Sequence, residues 1–394
     1  MKNRIETECL SKLLINTSTL FTIFVKILFK QSIMKQLLKI CFLLTIIFSS
    51  CSEQKEDEKS NKIVFDLSKT QDLDLASASL LNKQIVQLAT SDSVIIPAYS
   101  NLIVNENQFI LYSQMTNQIF RFNSDGSFIN FIGKKGNGPA EFVEMNDILI
   151  DNNTIEVLDR ETIVRYGLNG EFIDKVKTEI PAFSFAIANN GYWFYVSDNP
   201  AYSQFRLMET DREFSNHIEH LPIRNRSMPL IEDNFSKNGT LTFRESLSPT
   251  LYTLDNGLIN SLYIDFGSLQ VSEETLSATP EEVFERMDNS DYAAIRKYMD
   301  NREYAFLHVM ITKPNIMEPE MFYWIIDKKS HKEKLIRVQD FAENSFLLFP
   351  QLMTDNNIIY FLGYDVANSD EWIDEDSNPS IVGIGVEELF DYKE

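Results

Sequence analysis

Cysteine is almost absent. Three occur, Cys9, Cys41 and Cys51, and none follows position 51 in a chain of 394 residues. A disulfide framework or a cysteine-based zinc site in the folded body is thereby excluded. Histidine is nearly as scarce: His217, His220, His308 and His331. His217 and His220 are spaced H-x-x-H, but in a strand-rich stretch that spacing does not put both on one face. No third ligand accompanies them, so a zinc site is not expected. Basic residues are outnumbered, 36 Lys and Arg against 58 Asp and Glu. A surface of that sign repels nucleic acid and anionic headgroups. No Gly-x-Ser-x-Gly elbow marks a serine hydrolase. No Gly-Lys-Ser/Thr opens a helix, as a phosphate-binding loop requires.

Long apolar runs are missing too. The nearest approach lies in residues 34–51, MKQLLKICFLLTIIFSSC. Lys35 and Lys39 form a positive region, and Ile40 to Phe48 form an apolar stretch too short to span a bilayer. Ser49 and Ser50 are the small residues expected before a cleavage site, and Cys51 directly follows. Residues 34–50 therefore read as a lipoprotein signal peptide with Cys51 as the lipidated residue, and 51–62 as an acidic tether. Two readings of residues 1–33 stand: translation starts at Met34, which is preferred, or the chain has an extended leader. Cleavage before Cys51 leaves 29 basic and 56 acidic side chains, a net charge of −27.

What the body of the chain has is a repeat. Ile119, Arg121, Phe122, Gly126, Phe128 and Ile129 line up with Ile163, Arg165, Tyr166, Gly170, Phe172 and Ile173. Short alternating strands recurring at that period indicate the blades of a β-propeller. Phe (29) and Tyr (15) suit such stacked sheets. Asp125-Gly126 and Asn169-Gly170 are hairpin signals, because these residues tolerate the positive φ that tight turns need. The pattern predicts an all-β, six-bladed propeller over 63–394. Its first two blades run from about Leu102 to Gly133 and from about Ile148 to Val176. The third is less regular, and an N-terminal strand from 63–99 is expected to pair into the last blade and close the ring. Thr279-Pro280-Glu281-Glu282 is a helix start, with Thr as cap, Pro at the first position and Glu at the third. It predicts a small helical insertion at about 271–305 that includes DYAAIRKYMD, with Phe284, Tyr292 and Tyr298 packed on the propeller.

Candidate site residues cluster where blades join. Gly133 to Pro139 form a corner from an outer strand to the next inner strand, with the glycines expected at positive φ. Lys134, Lys135, Asn137 and Glu141 are then placed at the face that receives ligands. Arg160, on the loop between the second and third strands of blade two, and Arg244, assigned to the equivalent place in blade four, are candidates to clamp a carboxylate or sulfate. Pairing with Asp159 or Glu245 is the plainer reading of both. Asp365, Asp370, Glu371, Asp374, Glu375 and Asp376 make an acidic loop, in which Asp370, Asp374 and Asp376 are candidates for calcium. The spacing is not that of an EF-hand, and a solvated loop is preferred. No cofactor is expected, calcium being the one option.

Four places carry a resemblance to a known family: the lipobox at Cys51, the corner GKKGNGPAEF, the strand pair FRESLSPTLYTL and the closing DEDSNPSIVGIGVEEL. The corner looks like a Gly-Lys/Arg-x-Gly-x-Gly-Pro-x-Glu-Tyr/Phe motif. In these the chain resembles the six-bladed β-propeller lipoproteins of Bacteroidetes, an NHL- and TolB-like group, over roughly residues 34–394. Glu53, Glu56, Asp57 and Glu58 are similar to the surface-export signal of such lipoproteins. The resemblance implies an outer-membrane lipoprotein at the cell surface. With no compact catalytic constellation, the favoured reading is not an enzyme. It is a non-catalytic binding or scaffold module for a glycan, peptide or protein partner. The alternative is a metal-assisted lactonase-like hydrolase or a lyase using carboxylates at the central channel.

Overall fold

Short apolar runs cut by Asn, Asp and Gly limit the strands to a few residues each, and the computed structural model shows what they build. It describes residues 61–73, 84–189, 191–224, 233–254, 257–316, 319–338, 346–365 and 377–391. Three N-terminal strands, β1 (Asn61–Val64), β2 (Thr70–Leu73) and β3 (Gln84–Gln87), precede the blades. Blade 1 is β4 (Asn101–Asn105), β5 (Gln108–Ser113), β6 (Gln118–Asn123) and β7 (Phe128–Phe131). Blade 2 is β8 (Asp147–Asp151), β9 (Thr154–Asp159), β10 (Thr162–Gly167) and β11 (Phe172–Lys177). Blade 3 is β12 (Ser184–Ala188), β13 (Gly191–Tyr195), β14 (Phe205–Asp211) and β15 (His217–Pro222). Blade 4 is β16 (Phe235–Ser236), β17 (Thr242–Arg244), β18 (Thr250–Leu254) and β19 (Leu258–Asp265). Blade 5 is β20 (Tyr292–Asp300), β21 (Tyr304–Thr312), β22 (Glu320–Asp327) and β23 (Glu333–Val338). Blade 6 takes β24 (Phe346–Met353), β25 (Ile358–Asp365) and β26 (Ser380–Gly385).

Alternation along each strand sends side chains to the two neighbouring blades in turn. In blade 2, Ile155, Val157, Val164 and Tyr166 pack with Ile110 and Ile119 of blade 1. Leu158 and Ile163, from the other face of the same strands, pack with Phe185 and Phe194 of blade 3. Trp193 and Leu207 then meet Phe235 and Phe243 of blade 4, and Leu251 and Ile264 meet Leu307 and Trp324 of blade 5. A last cluster joins Phe306 and Tyr323 of blade 5, Phe361 and Ile381 of blade 6, and Leu102, Phe109 and Phe120 of blade 1. The chain of contacts returns to its start. The described body is therefore a closed, six-bladed β-propeller.

The two aligned repeats occupy equivalent places. β6 and β10 are both third strands, and Gly126 and Gly170, on the turns that follow them, have the same φ of +85°. β3 supplies the fourth strand of blade 6 by antiparallel pairing with β26, the closure expected from 63–99. β1 and β2 were not foreseen in their roles. They lie parallel to β19 and β23 as fifth strands on blades 4 and 5. The N-terminal chain thus runs along three successive rims, with Phe65 inserted among Phe266, Phe322 and Trp324.

One element differs from expectation. Helices α1 (Glu273–Leu276) and α2 (Pro280–Asp288) lie in 271–305, and Thr279 caps α2 in a reciprocal capping box with Glu282. Tyr292–Asp300, expected to be helical, is instead β20, the inner strand of blade 5. The helices are the connection between blades 4 and 5. A short α3 (Val386–Asp391) follows blade 6. Among the described residues no helix is long and apolar enough to cross a membrane.

Candidate functional site

Strand order gives the wheel two unlike faces. Connections between blades, and those between second and third strands, emerge on one side, here the loop face. The other hairpin turns emerge on the opposite side, the turn face. The corner after β7 belongs to the loop face and is held by its own residues. Phe142 N–H donates to Lys134 O (3.2 Å) and Gly136 N–H to Phe142 O (2.9 Å). Glu141 Oε2 accepts the Gly138 N–H at 2.9 Å, and Lys134 Nζ lies 3.2 Å from Glu141 Oε1. The Gly138 amide, then Lys134, hold the Glu141 carboxyl below its usual range. Asp159 receives the amides of Val143 and Glu144, and Tyr166 Oη donates to Ala140 O.

The candidate residues divide. Lys134, Lys135 and Asn137 are exposed on the loop face, whereas the Glu141 carboxylate is used to fold the corner. Arg160 is on the expected loop with its side chain 64% exposed, and it pairs with Glu144 (3.0 Å) rather than Asp159. The place of Arg244, expected on a loop, is corrected. It ends β17 and is 3% exposed, with its guanidinium donating to Ile295 O (2.6 Å), Arg296 O (2.6 Å) and Asp233 O (3.0 Å). It ties blade 4 to the inner strand of blade 5 and also lines the central cavity. The corner glycines need a second correction. Only Gly133 has positive φ. At Gly136 a Cβ would come within 1.9 Å of Glu141 Oε2, so close approach of that side chain is the reason for glycine there. Cys51 and the acidic residues Asp370, Asp374 and Asp376 lie outside the described residues. Among the described residues no three His, Cys, Asp or Glu side chains are grouped to hold a metal.

The axial channel has a volume of about 700 Å3 and is lined by inner-strand residues of all six blades. Its charges are paired. Lys237 Nζ donates to Asp147 Oδ2 (2.7 Å) and Ile148 O (2.9 Å), and so reaches from blade 4 to blade 2. Lys297 pairs with Asp233. Burial pushes the Asp147 carboxyl up despite Lys237, whereas burial at Asp233 is outweighed by Lys297 and Lys237, which hold it below its ordinary value.

A second buried network stiffens the loop face between blades 3 and 4. Asp198 accepts the Arg224 amide (2.8 Å), Arg224 pairs with Glu245, and Arg206 lies 3.5 Å from Glu245. Arg224 Nε also lies 3.7 Å from Glu273 of α1. These contacts pin the β13–β14 loop, the β17–β18 loop and α1 to one another.

Exposed large apolar side chains are distributed unequally. Ile95, Tyr99, Met115, Val143, Tyr202, Phe284 and Ile316 all lie on loop-face connections. The others lie on strands or segments of the rim, and none is on a turn-face hairpin among the described residues. Phe284 was expected to pack on the propeller and is 55% exposed, whereas Tyr298 is buried as expected. No repeat or motif announces this distribution, because its members come from separate connections that only the fold places on one face.

One solved structure shares this architecture. A candidate exported protein from Bacteroides fragilis NCTC 9343 superposes with a TM-score of 0.64 at 16% identity, over 82% of this chain and 99% of that one. A member of the DUF4221 family from Bacteroides vulgatus ATCC 8482 has a TM-score of 0.46 at 10% identity, covering 77% of this chain and 96% of that one. BamB from Moraxella catarrhalis has a TM-score of 0.40 at 7% identity, covering 76% and 100%. No curated protein matches the chain in sequence. The class is a six-bladed propeller similar to a Bacteroides protein. More narrowly, residues 46–387 match the domain of unknown function DUF4934, and the chain belongs to that family.

Proposed function

We propose that the protein is an exported, lipid-anchored propeller that acts as a non-catalytic binding module, and that its loop face receives a protein partner. The unequal placement of exposed apolar side chains carries this reading: among the described residues, seven lie on the loop face and none on turn-face hairpins. Apolar anchors set in a polar surround are how protein interfaces concentrate binding energy. The charged networks beneath hold the connections in place, which lowers the ordering cost of association. The family match, which includes the segment around Cys51, and the exported character of the Bacteroides fragilis neighbour support secretion and anchoring.

The enzyme alternative meets a specific obstacle. Asp233, a carboxylate lining the channel, and Asp147, held by the channel-lining Lys237, are each bonded to a lysine. An incoming cation would meet Lys237 and Lys297, and Coulomb repulsion disfavours it there.

The body contains no cysteine after Cys51, so single cysteines can be placed on either face. Met115→Cys, Tyr202→Cys and Ile316→Cys, labelled with a benzophenone maleimide and irradiated on the producing cells, are expected to give discrete heavier adducts. Glu213→Cys and Lys329→Cys, on turn-face hairpins, are expected to give none. Adducts from the turn face alone, or from neither face, would overturn the reading.

A further inference from the structure

We infer that the blade 4–5 sector of the loop face, centred on Phe284, docks a basic protein surface that offers an apolar recess. This rests on the loop-face reading above and adds the partner's chemistry. Residues 272–291 carry seven acidic side chains and a single basic one, Arg286. α2 is held firmly. Val283 is fully buried, and Leu276 packs with Leu247, Val271 and Ala294, with Met287 and Tyr292 against them. Its other side is open. Glu281, Phe284, Glu285 and Asp288 are all exposed and are spaced i, i+3, i+4 and i+7, which places them on one helical stripe.

The neighbouring carboxylates have internal duties: Glu282 closes the capping box, Glu274 pairs with Arg286 and Glu273 with Arg224. Glu281, Glu285 and Asp288 form no ion pair among the described residues. An aromatic ring surrounded by three unpaired carboxylates, on a helix that cannot fold back over it, is complementary to Lys or Arg around an apolar depression. The ring supplies the anchor and the carboxylates supply charge steering and discrimination. A glycan without charge would use neither the carboxylates nor their sign.

The test uses the purified protein and three labelled 18-residue amphipathic peptides. One has a lysine face and a leucine face, one has glutamate in place of lysine, and one has serine in place of leucine. The lysine–leucine peptide is expected to bind, with affinity falling at least tenfold from 50 to 500 mM NaCl. Phe284→Ala and the combined Glu281→Lys, Glu285→Lys, Asp288→Lys variant are each expected to weaken it at least tenfold, with unchanged melting temperature. The other two peptides are expected to bind at least tenfold more weakly. If the α2 variants bind like the wild type while Met115→Ser or Ile316→Ser weakens binding, the inference fails and the loop-face reading survives. If the lysine–leucine peptide does not bind, or if the glutamate peptide binds as well, the proposed partner chemistry is wrong.

Discussion

Glycine serves two different purposes in this wheel, and they can be separated by substitution. Gly126 and Gly257 both have positive φ, +85° and +125°. A Cβ at Gly126 would lie 2.1 Å from Gln87 O, on the strand that closes the ring, whereas at Gly257 nothing lies within 4 Å. Gly257→Ala is therefore expected to cost about 1 kcal/mol from backbone strain alone, and Gly126→Ala about 3 kcal/mol because the blade 1 turn must also move off β3. Equal losses in urea denaturation would contradict this account. His308 makes a second residue-scale prediction. Burial first, then Arg296, Arg244 and Lys297, lower its pKa to about 3 from 6.5. The unfolded chain binds a proton below pH 6.5 that the folded chain refuses, so this group makes stability fall with acidification from 6.5 toward 3. Between pH 6.5 and 4.5 the loss is about 2 kcal/mol, and His308→Gln should remove that part of the slope. Parallel pH profiles for the two proteins would show that His308 does not titrate this way.

At the scale of elements, legibility followed the range of the determining contact. The Asp125-Gly126 and Asn169-Gly170 turns and the Thr279 capping box are local, and each was readable from a few residues. β20 was not. It is an inner strand with Ala293, Ala294, Ile295, Tyr298 and Met299 buried, and its register slips between Ile295 and Lys297. A bulge shifts the alternation by one, so two short strand phases imitate helical spacing. The exposure of Phe284 and the burial of Arg244 were unreadable for a related reason: each depends on what the fold brings alongside. The same holds for β1 and β2, whose partners lie some two hundred or more residues away. These strands predict a graded response to truncation. Starting the chain at residue 74 removes β1, β2 and Phe65, whose large buried ring alone is worth about 3 kcal/mol. The product is expected to fold with a lower melting temperature. Starting at residue 89 also removes β3, which leaves blade 6 with an open edge, and aggregation is expected by size-exclusion chromatography. Equal behaviour of the two truncations would remove β3 from its closing role.

For the whole molecule, symmetry and asymmetry divide the labour. Six packed interfaces make the wheel rigid, and the N-terminal strands cover the rims of blades 4 and 5 and complete blade 6. Against that near-repetition the two faces differ. Among the described residues the exposed large apolar side chains of the connections, and the acidic α2 stripe, lie on the loop face and none on the turn-face hairpins. Beneath both faces, lysine–carboxylate pairs tie the inner strands together: Lys237 with Asp147 and Lys297 with Asp233. Most of the wheel was legible because its repeat is written in strand alternation and turn residues. The binding face was not, because it is assembled from connections that share no repeat.

The most direct measurement is a hydrogen-exchange map of the protein with and without the partner identified through the cross-linked adducts. The account predicts slowed exchange in the connections containing Met115, Val143, Tyr202, Phe284 and Ile316, with the turn-face hairpins at 124–127, 168–171 and 328–332 unchanged. Protection confined to those hairpins or to the outer strands β7, β11 and β15 would contradict it.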